Sequence, residues 1–352
     1  MVKAPPSADL ARRFTDELLA YIESERASLE SEAQPLLDEL EAVISAGGKR
    51  LRPSFCYWGH LAAGGRDGPE ILRVGAALEL LHTFAMIHDD VMDSSPLRRS
   101  RATTFRALTD LSAGVPHRGD PKRFGVSAAI LAGLLGFVLA DRLFHSADFD
   151  APALQRAAER YDRMRTGAIA GQYLDLLAAY RGEADEATAR RIGVLKSGGY
   201  SVADPLAIGA LLATDDAEIV DALESYGRPL GEAFQIRDDV LGVFGDPAIT
   251  GKDRDGDLRE GKQTVLLAKA RERARPHERR LLDQVVGDSD LSSEDAERVR
   301  TIMTTSGALD ATDALIDELA EHAHEALQFD GLEASARTAL AELADAATVR
   351  DA

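Results

Sequence analysis

The chain has 352 residues, 45% of them apolar, and a formal charge of −19; that much apolar content can bury one large core or two ordinary ones. The acidity disfavours a nucleic-acid partner, because phosphate backbones are held mainly by surplus Lys and Arg, so an anionic ligand must be met by local basic residues or metal ions. Cys56 is the only cysteine, which excludes an intrachain disulfide and a thiolate-rich metal site and fits a reducing cytoplasm.

The first residues, "MVKAPPSADLARRFTDELLAYI", lack the apolar core of a signal peptide. The longest apolar run, 126–140, is short and Gly-rich for a bilayer span, so a protein that does not cross a membrane is expected. Apolar residues recur at three- and four-residue spacing almost throughout, and β-branched alternation is scarce. This pattern predicts an all-α chain. Helices are expected over 8–31, 34–45, 53–64, 69–94, 124–146, 151–180, 186–198, 202–213, 216–244, 263–274, 276–287, 293–306 and, with a break, 308–348. The segments 47–53, 110–123 and 245–262 carry the Gly, Pro and Asp of loops. None has the length or bias of an interdomain linker and no repeat is visible, so residues 1–352 are read as a single domain.

Within the helix predicted over 69–94, "LLHTFAMIHDDVMDSSPLRR" holds three aspartates, two histidines and a pair of arginines in an apolar run. At about 100° per residue, His82, Asp89 and Asp93 fall within roughly 20° of one line, with Asp90 beside them. Carboxylates stacked one turn apart destabilise a bare helix by about 0.2–0.5 kcal/mol, so a cation should offset them. A lone DDxxD is most simply a solvated acidic face or a helix end. A second pair, Asp238 and Asp239 in "GEAFQIRDDVLGVFGD", again follows an amphipathic apolar helix. Two such clusters can face each other across a bundle and share cations. Mg²⁺ suits them, since it takes one or two carboxylates together with waters and substrate phosphates. Zinc suits them less, for want of a thiol or a paired histidine motif.

Basic residues gather in loops: Lys49, Arg50 and Arg52; Arg98, Arg99 and Arg101; Lys196; Lys252; Lys262. Singly each reads as a solvated charge. Together with Gly47 and Gly48, which allow close backbone approach, they suggest a diphosphate cradle in which Arg forms forked contacts and Lys acts as a point charge.

In chain order, "GGKRLRP", "HDDVMD" followed by "RR", "GQYLDL", "KSGGYS", "FQIRDDVLGVFGD" and "GKDRDGDLREGKQT" resemble the motifs of the trans-type polyprenyl diphosphate synthases. The resemblance runs from about residue 40 to 270. It implies an all-α single large helical bundle of the isoprenoid synthase type with a central active-site cavity, and a product most like that of a geranylgeranyl diphosphate synthase. It implies that three Mg²⁺ ions bind with substrate, that Asp89, Asp93 and Asp238 ligate metal, and that Asp90 and Asp239 support them. Arg98, Lys196 and Lys252 would hold an allylic diphosphate (dimethylallyl, geranyl or farnesyl), with Ser197, Gln235 and Lys262 near it. Lys49, Arg52, His82 and Arg99 would hold isopentenyl diphosphate. Family members are usually homodimers, and the Gly-rich segment 126–140 is a candidate for close helix contact.

The chain departs from the family pattern in places. The fifth position of the second motif is Gly242, with Asp246 as a possible substitute that Pro247 biases out of helical geometry. Ser100, Arg101 and Ala102 stand where Gly, a basic residue and Pro are frequent, and Leu134 follows Gly133 where Asp is common. Two other readings compete. The spacing from Asp238 to Asp246 also matches the second metal motif of a class I terpene cyclase, but that reading gives no role to "GGKRLRP" or His82, and aromatics are only 5%. A non-catalytic prenyltransferase subunit tends to lose aspartates that this chain retains.

A product growing toward the N-terminal end of the first-motif helix would pass Ala85, about 6 Å before Asp89, then Phe84, turned aside, then Leu81 roughly 12 Å away. By resemblance, an aromatic five residues before the motif and a small residue four before it imply a C20 product. Shorter farnesyl or longer polyprenyl products are the alternatives.

Overall fold

The computed structural model describes residues 7–99, 101–114, 116–246 and 254–348. They form helices α1 (Ser7–Glu25), α2 (Gln34–Ser45), α3 (Leu51–Ala62), α4 (Pro69–Met92), α5 (Thr104–Ala113), α6 (Pro121–His145), α7 (Ala151–Arg181), α8 (Glu186–Gly193), α9 (Asp204–Ala213) and α10 (Ala217–Phe244). After these come α11 (Gly256–Arg259), α12 (Val265–Arg273), α13 (Pro276–Val285), α14 (Ser293–Thr305), α15 (Ala308–Ala326) and α16 (Ala334–Thr348). The expected all-α class is what the chain adopts; among the described residues the only sheet is the two-residue hairpin of β1 (Leu97–Arg98) and β2 (Arg101–Ala102), with Arg98 opposite Arg101.

Backbone contacts divide the chain into two compact units, residues 1–57 with 66–154 and residues 58–65 with 155–352. In the first unit α4 is apolar nearly all round and packs against α6 and α1, as a helix buried on several sides must. Its core face runs through Ile71, Val74, Leu78, Leu81 and Ile87. In the second unit α10 packs on α15 and on the segment before α9. A core of Ile236, Val240, Val243, Leu266, Val299 and Ile316 fixes the C-terminal half of α10.

Four elements differ from expectation. The first helix ends at Glu25, and two 3₁₀ turns, Arg26–Ser28 and Ser31–Ala33, take up the remainder. Residues Thr104–Ala113 form α5, although no helix was expected there; its Leu108 and Thr109 are buried and it packs along α6, so tertiary contact supplies what ten residues of weak propensity do not. The expected break around residues 198–202 is instead a π-helical segment, Val194–Ala203, which joins α8 to α9 without interruption. The loop 245–262 contains α11, capped on its C-terminal side by Glu260.

The helix holding the apolar run 126–140 is longer than the run itself. α6 spans 25 residues, and it and α4 are each long and apolar enough, by length and composition, to cross a membrane. The expectation that 126–140 is too short is corrected on that point. In α4 the apolarity is accounted for by packing, since 67% of its most apolar window is buried, against 44% in α6.

Candidate active site

The first unit gathers the first aspartate motif and most of the basic residues. α4 carries Asp89 and Asp90 on its last turn, and the Asp93 amide closes that turn by donating to the Asp89 carbonyl at 2.8 Å. Helical spacing therefore places Asp89 and Asp93 one above the other. Asp90 is buried and accepts from Arg98 Nε at 2.6 Å, while Arg98 Nη2 reaches Asp89 Oδ2 at 3.3 Å. Burial alone lowers the pKa of Arg98, but Asp90 and Asp89 outweigh it and the net shift is upward. A guanidinium thus offsets the stacked carboxylates.

The short hairpin sends its neighbouring arginines in different directions. Arg98 turns to the aspartates, and Arg99, in the left-handed region at φ 51°, donates to the Gly47 carbonyl. Gly48, at φ 152°, has a backbone conformation that residues with side chains rarely adopt, and a Cβ there would stand 3.2 Å from Arg99 Nη1, a tight approach. Near them is His82, whose pKa is pushed well down by burial and then by Arg52, Arg99, Arg98 and Arg50. Four guanidinium groups acting on this imidazole make the local field positive, which favours an anion. Lys49 is exposed. Arg50, grouped by sequence with Lys49 and Arg52 as a loop cation, is turned inward and buried beside Glu79.

Ahead of the motif on α4, Leu81 is buried while Phe84 and Ala85 are partly exposed. The Phe84 ring packs edge-on against His88, centroids 4.7 Å apart, and against Phe137 of α6 at 5.1 Å.

The second unit holds the other expected residues. Asp238 and Asp239 lie on α10, where Gln235 Nε2 donates to Asp239 Oδ1 at 2.7 Å. Burial first, then the charges of Asp238 and Asp257, pushes the Asp239 carboxyl well above its usual range. Lys196, in the π-helical segment, pairs with Asp175 of α7 at 2.7 Å, and Ser197 follows it, half-buried. α7 reaches this segment through Gly171 of "GQYLDL": a Cβ there would stand 2.6 Å from the Lys196 Cα, closer than packed atoms approach. Lys262 pairs with Asp257 at 2.7 Å and with Glu260 at 2.9 Å. Lys252 and Pro247 lie outside the described residues.

Gly242 has an unexpected partner. The Asp257 carboxylate occupies the space where a side chain at 242 would begin, so an acidic group stands at that place from another part of the chain. Asp246, two residues past the end of α10, is exposed. Asp257, Asp175 and Glu79 were not singled out from sequence. The signal for the first two was the quoted motifs "GKDRDGDLREGKQT" and "GQYLDL", which hold them.

Among the described residues no three His, Cys, Asp or Glu side chains converge as a ready-made metal cage. Each unit offers several carboxylates with lysine or arginine close by, and one or two of them would suffice for a Mg²⁺ carrying its own waters and a diphosphate.

The model of the polyprenyl synthetase family matches residues 33–303. The chain is 31% identical over 341 residues to a short chain isoprenyl diphosphate synthase of Methanothermobacter thermautotrophicus, covering 96% of each chain. It is 30% identical over 322 residues to a geranylgeranyl pyrophosphate synthase of Geoglobus acetivorans, covering 92% of this chain and 93% of the relative. Its fold is similar to that of geranylgeranyl pyrophosphate synthase from Corynebacterium glutamicum, solved with isoprenyl diphosphate and magnesium: TM-score 0.94 and 33% identity over 99% of this chain and 100% of the other.

Proposed function

The chain belongs to the polyprenyl synthetase family, and from that premise we propose that it condenses isopentenyl diphosphate with an allylic diphosphate to a linear all-trans product, geranylgeranyl diphosphate. It is a chain-elongating prenyltransferase. The observation that carries the finer reading is the pairing of an aspartate motif with a neutral histidine among arginines in one unit. A diphosphate held with Mg²⁺ and a second held without it need those two environments.

Asp89 on α4, Asp93 just past its end and Asp238 on α10 are assigned as metal ligands, with Asp90 and Asp239 supporting them. Bound Mg²⁺, three ions with substrate present, supplies positive charge to the leaving diphosphate. Arg98, Lys196 and Lys252 orient the allylic diphosphate, with Ser197, Gln235 and Lys262 beside it, and stabilise charge as the allylic C–O bond breaks. Lys49, Arg52, His82 and Arg99 hold isopentenyl diphosphate so that its double bond attacks the allylic cation. A proton is then lost to the departing diphosphate. Leu81, Phe84 and Ala85 set product length, and the half-exposed Phe84 beside small Ala85 supports C20. One polyprenyl synthase domain over both units is in keeping with a family match that crosses both. The terpene cyclase reading is disfavoured, because it gives no role to the basic residues Lys49 and Arg52 or to His82 with its neighbouring arginines.

Phe124, Leu131, Leu134 and Val138 are exposed on α6 at spacings of seven, three and four residues, the seam of a helix pair. The partner assigned to that seam is a second copy of the chain, in a cytoplasmic homodimer. A stable monomer in sedimentation at micromolar concentration would contradict this. For the activity, Asp89→Ala should cut turnover by orders of magnitude with the helical circular dichroism retained. Near-normal turnover in that variant, or full activity in EDTA, would refute the metal-dependent reading.

A further inference from the structure

The adjacent cations of "GGKRLRP" have opposite fates. Lys49 is exposed, whereas Arg50 is 4% exposed and each of its three guanidinium nitrogens is engaged. Nη1 donates to Glu79 Oε1 at 2.6 Å, Nη2 to the Ile44 carbonyl at 2.6 Å and Nε to Thr15 Oγ1 at 3.2 Å. These partners lie on α4, at the end of α2 and on α1. One side chain therefore ties three helices to a loop.

The backbone shows what that tie holds. Arg50 has φ 50°, in the left-handed region that L residues avoid, after Gly47 at 88° and Gly48 at 152°. Among the described residues three that are not glycine share such angles, Arg50, Ser94 and Arg99; two of them are neighbours of Gly48, and Ser94 directly follows Asp93. Strained angles persist where surrounding contacts over-determine them. The Arg50 carbonyl also accepts from the Ser54 amide at 3.0 Å and the Ser54 hydroxyl at 2.7 Å, so it starts α3, which carries Arg52. Turning Arg50 inward directs Lys49 outward and orients the first turn of α3.

Glu79 completes the device. It is 3% exposed and precedes His82 by three residues on α4, hence on the same helix face. Its negative charge acts on Arg99 as well as on Arg50. A buried arginine would otherwise add an uncompensated charge, which is costly.

We propose that the buried Arg50–Glu79 pair is a positioning element for the isopentenyl diphosphate pocket: Arg50 touches no substrate, and the pair braces the loop so that Lys49, Arg52 and Arg99 present their charges in register. This rests on the reading, given above, that the pocket holds isopentenyl diphosphate.

The test uses the full-length protein with Arg50→Lys, which keeps the charge and loses the fork, and Glu79→Gln, which keeps the shape and loses the charge. The Michaelis constant for isopentenyl diphosphate should rise about tenfold or more, the loss expected when a charge-assisted contact is misplaced, while that for the allylic substrate and kcat stay within about twofold. Calorimetric titration of isopentenyl diphosphate should show the same weakening. Unchanged values in a folded variant overturn the proposal, as does a parallel loss for both substrates, which marks a merely structural role. If Glu79→Gln does not fold, Arg50→Lys decides, and loss of folding in both assigns the pair to stability alone and overturns positioning. Lys49→Ala, titrated alongside, separates the two ideas: binding weakened by Lys49→Ala but not by Arg50→Lys refutes the brace only, and binding unaffected by Lys49→Ala refutes the pocket.

Discussion

The carboxylate of Asp257 fills the space that a side chain at Gly242 would need. The absence of an aspartate at 242 and the presence of one at 257 are therefore one arrangement, in which glycine makes room for an acid from α11. Gly242→Ala should displace Asp257, destabilise the fold by about 1–3 kcal/mol through overpacking and raise the Mg²⁺ concentration needed for half-maximal turnover. Thermal melts and an Mg²⁺ titration of activity check both. The double variant Gly242→Asp with Asp257→Gly should recover part of the loss, and no recovery would mean the two positions act separately.

Lys196 is held by Asp175 and is assigned to the allylic diphosphate. Lys196→Ala should raise the Michaelis constant of the allylic substrate by about tenfold, the magnitude of one lost charge-assisted hydrogen bond, and leave that of isopentenyl diphosphate nearly unchanged. Asp175→Asn should have a smaller effect in the same direction. Steady-state kinetics with each substrate varied in turn would expose an exchanged assignment.

Phe84 is braced on one side by His88 and on the other by Phe137. Phe84→Ala should lengthen the product beyond C20, read by chromatography of the dephosphorylated alcohols. Loss of two aromatic contacts should cost about 1–3 kcal/mol in stability. An unchanged product distribution would show that another element ends the tunnel.

His82 gives a pH dependence with a definite sign. Burial and four arginines keep its imidazole neutral in the folded chain, whereas the unfolded chain binds a proton near pH 6.5. Below that pH the unfolded state holds more protons, so the His82 contribution falls as pH falls, by up to about 1.4 kcal/mol per pH unit. Urea unfolding at pH 7.5 and 5.5 should show this loss in the wild type and a flatter profile in His82→Gln.

The helical class and the two aspartate motifs were legible because each depends on local spacing alone. Apolar recurrence sets α4 and α10, and a four-residue interval puts Asp89 and Asp93 on one line whatever surrounds them. α5 was not legible, since its helicity comes from packing on α6. The direction of Arg50 was not legible either: charge and position in "GGKRLRP" are alike for Lys49 and Arg50, and only the buried Glu79 on a distant helix separates them. Asp257 was hidden for the same reason, being fifteen residues from the glycine whose place it takes.

The π-helical stretch from Val194 to Ala203 bears on which changes this chain can accept. Its wider turns each use about one residue more than an α-turn, so losing one residue while the turn closed as α-helix would leave the segments on either side in nearly the same helical phase, because either turn completes about one revolution. Lys196 lies within the stretch itself, so its pairing with Asp175 would report such a change locally. In this stretch a one-residue gap in an alignment would mark a change of local helix type, with α8 and α9 keeping their faces.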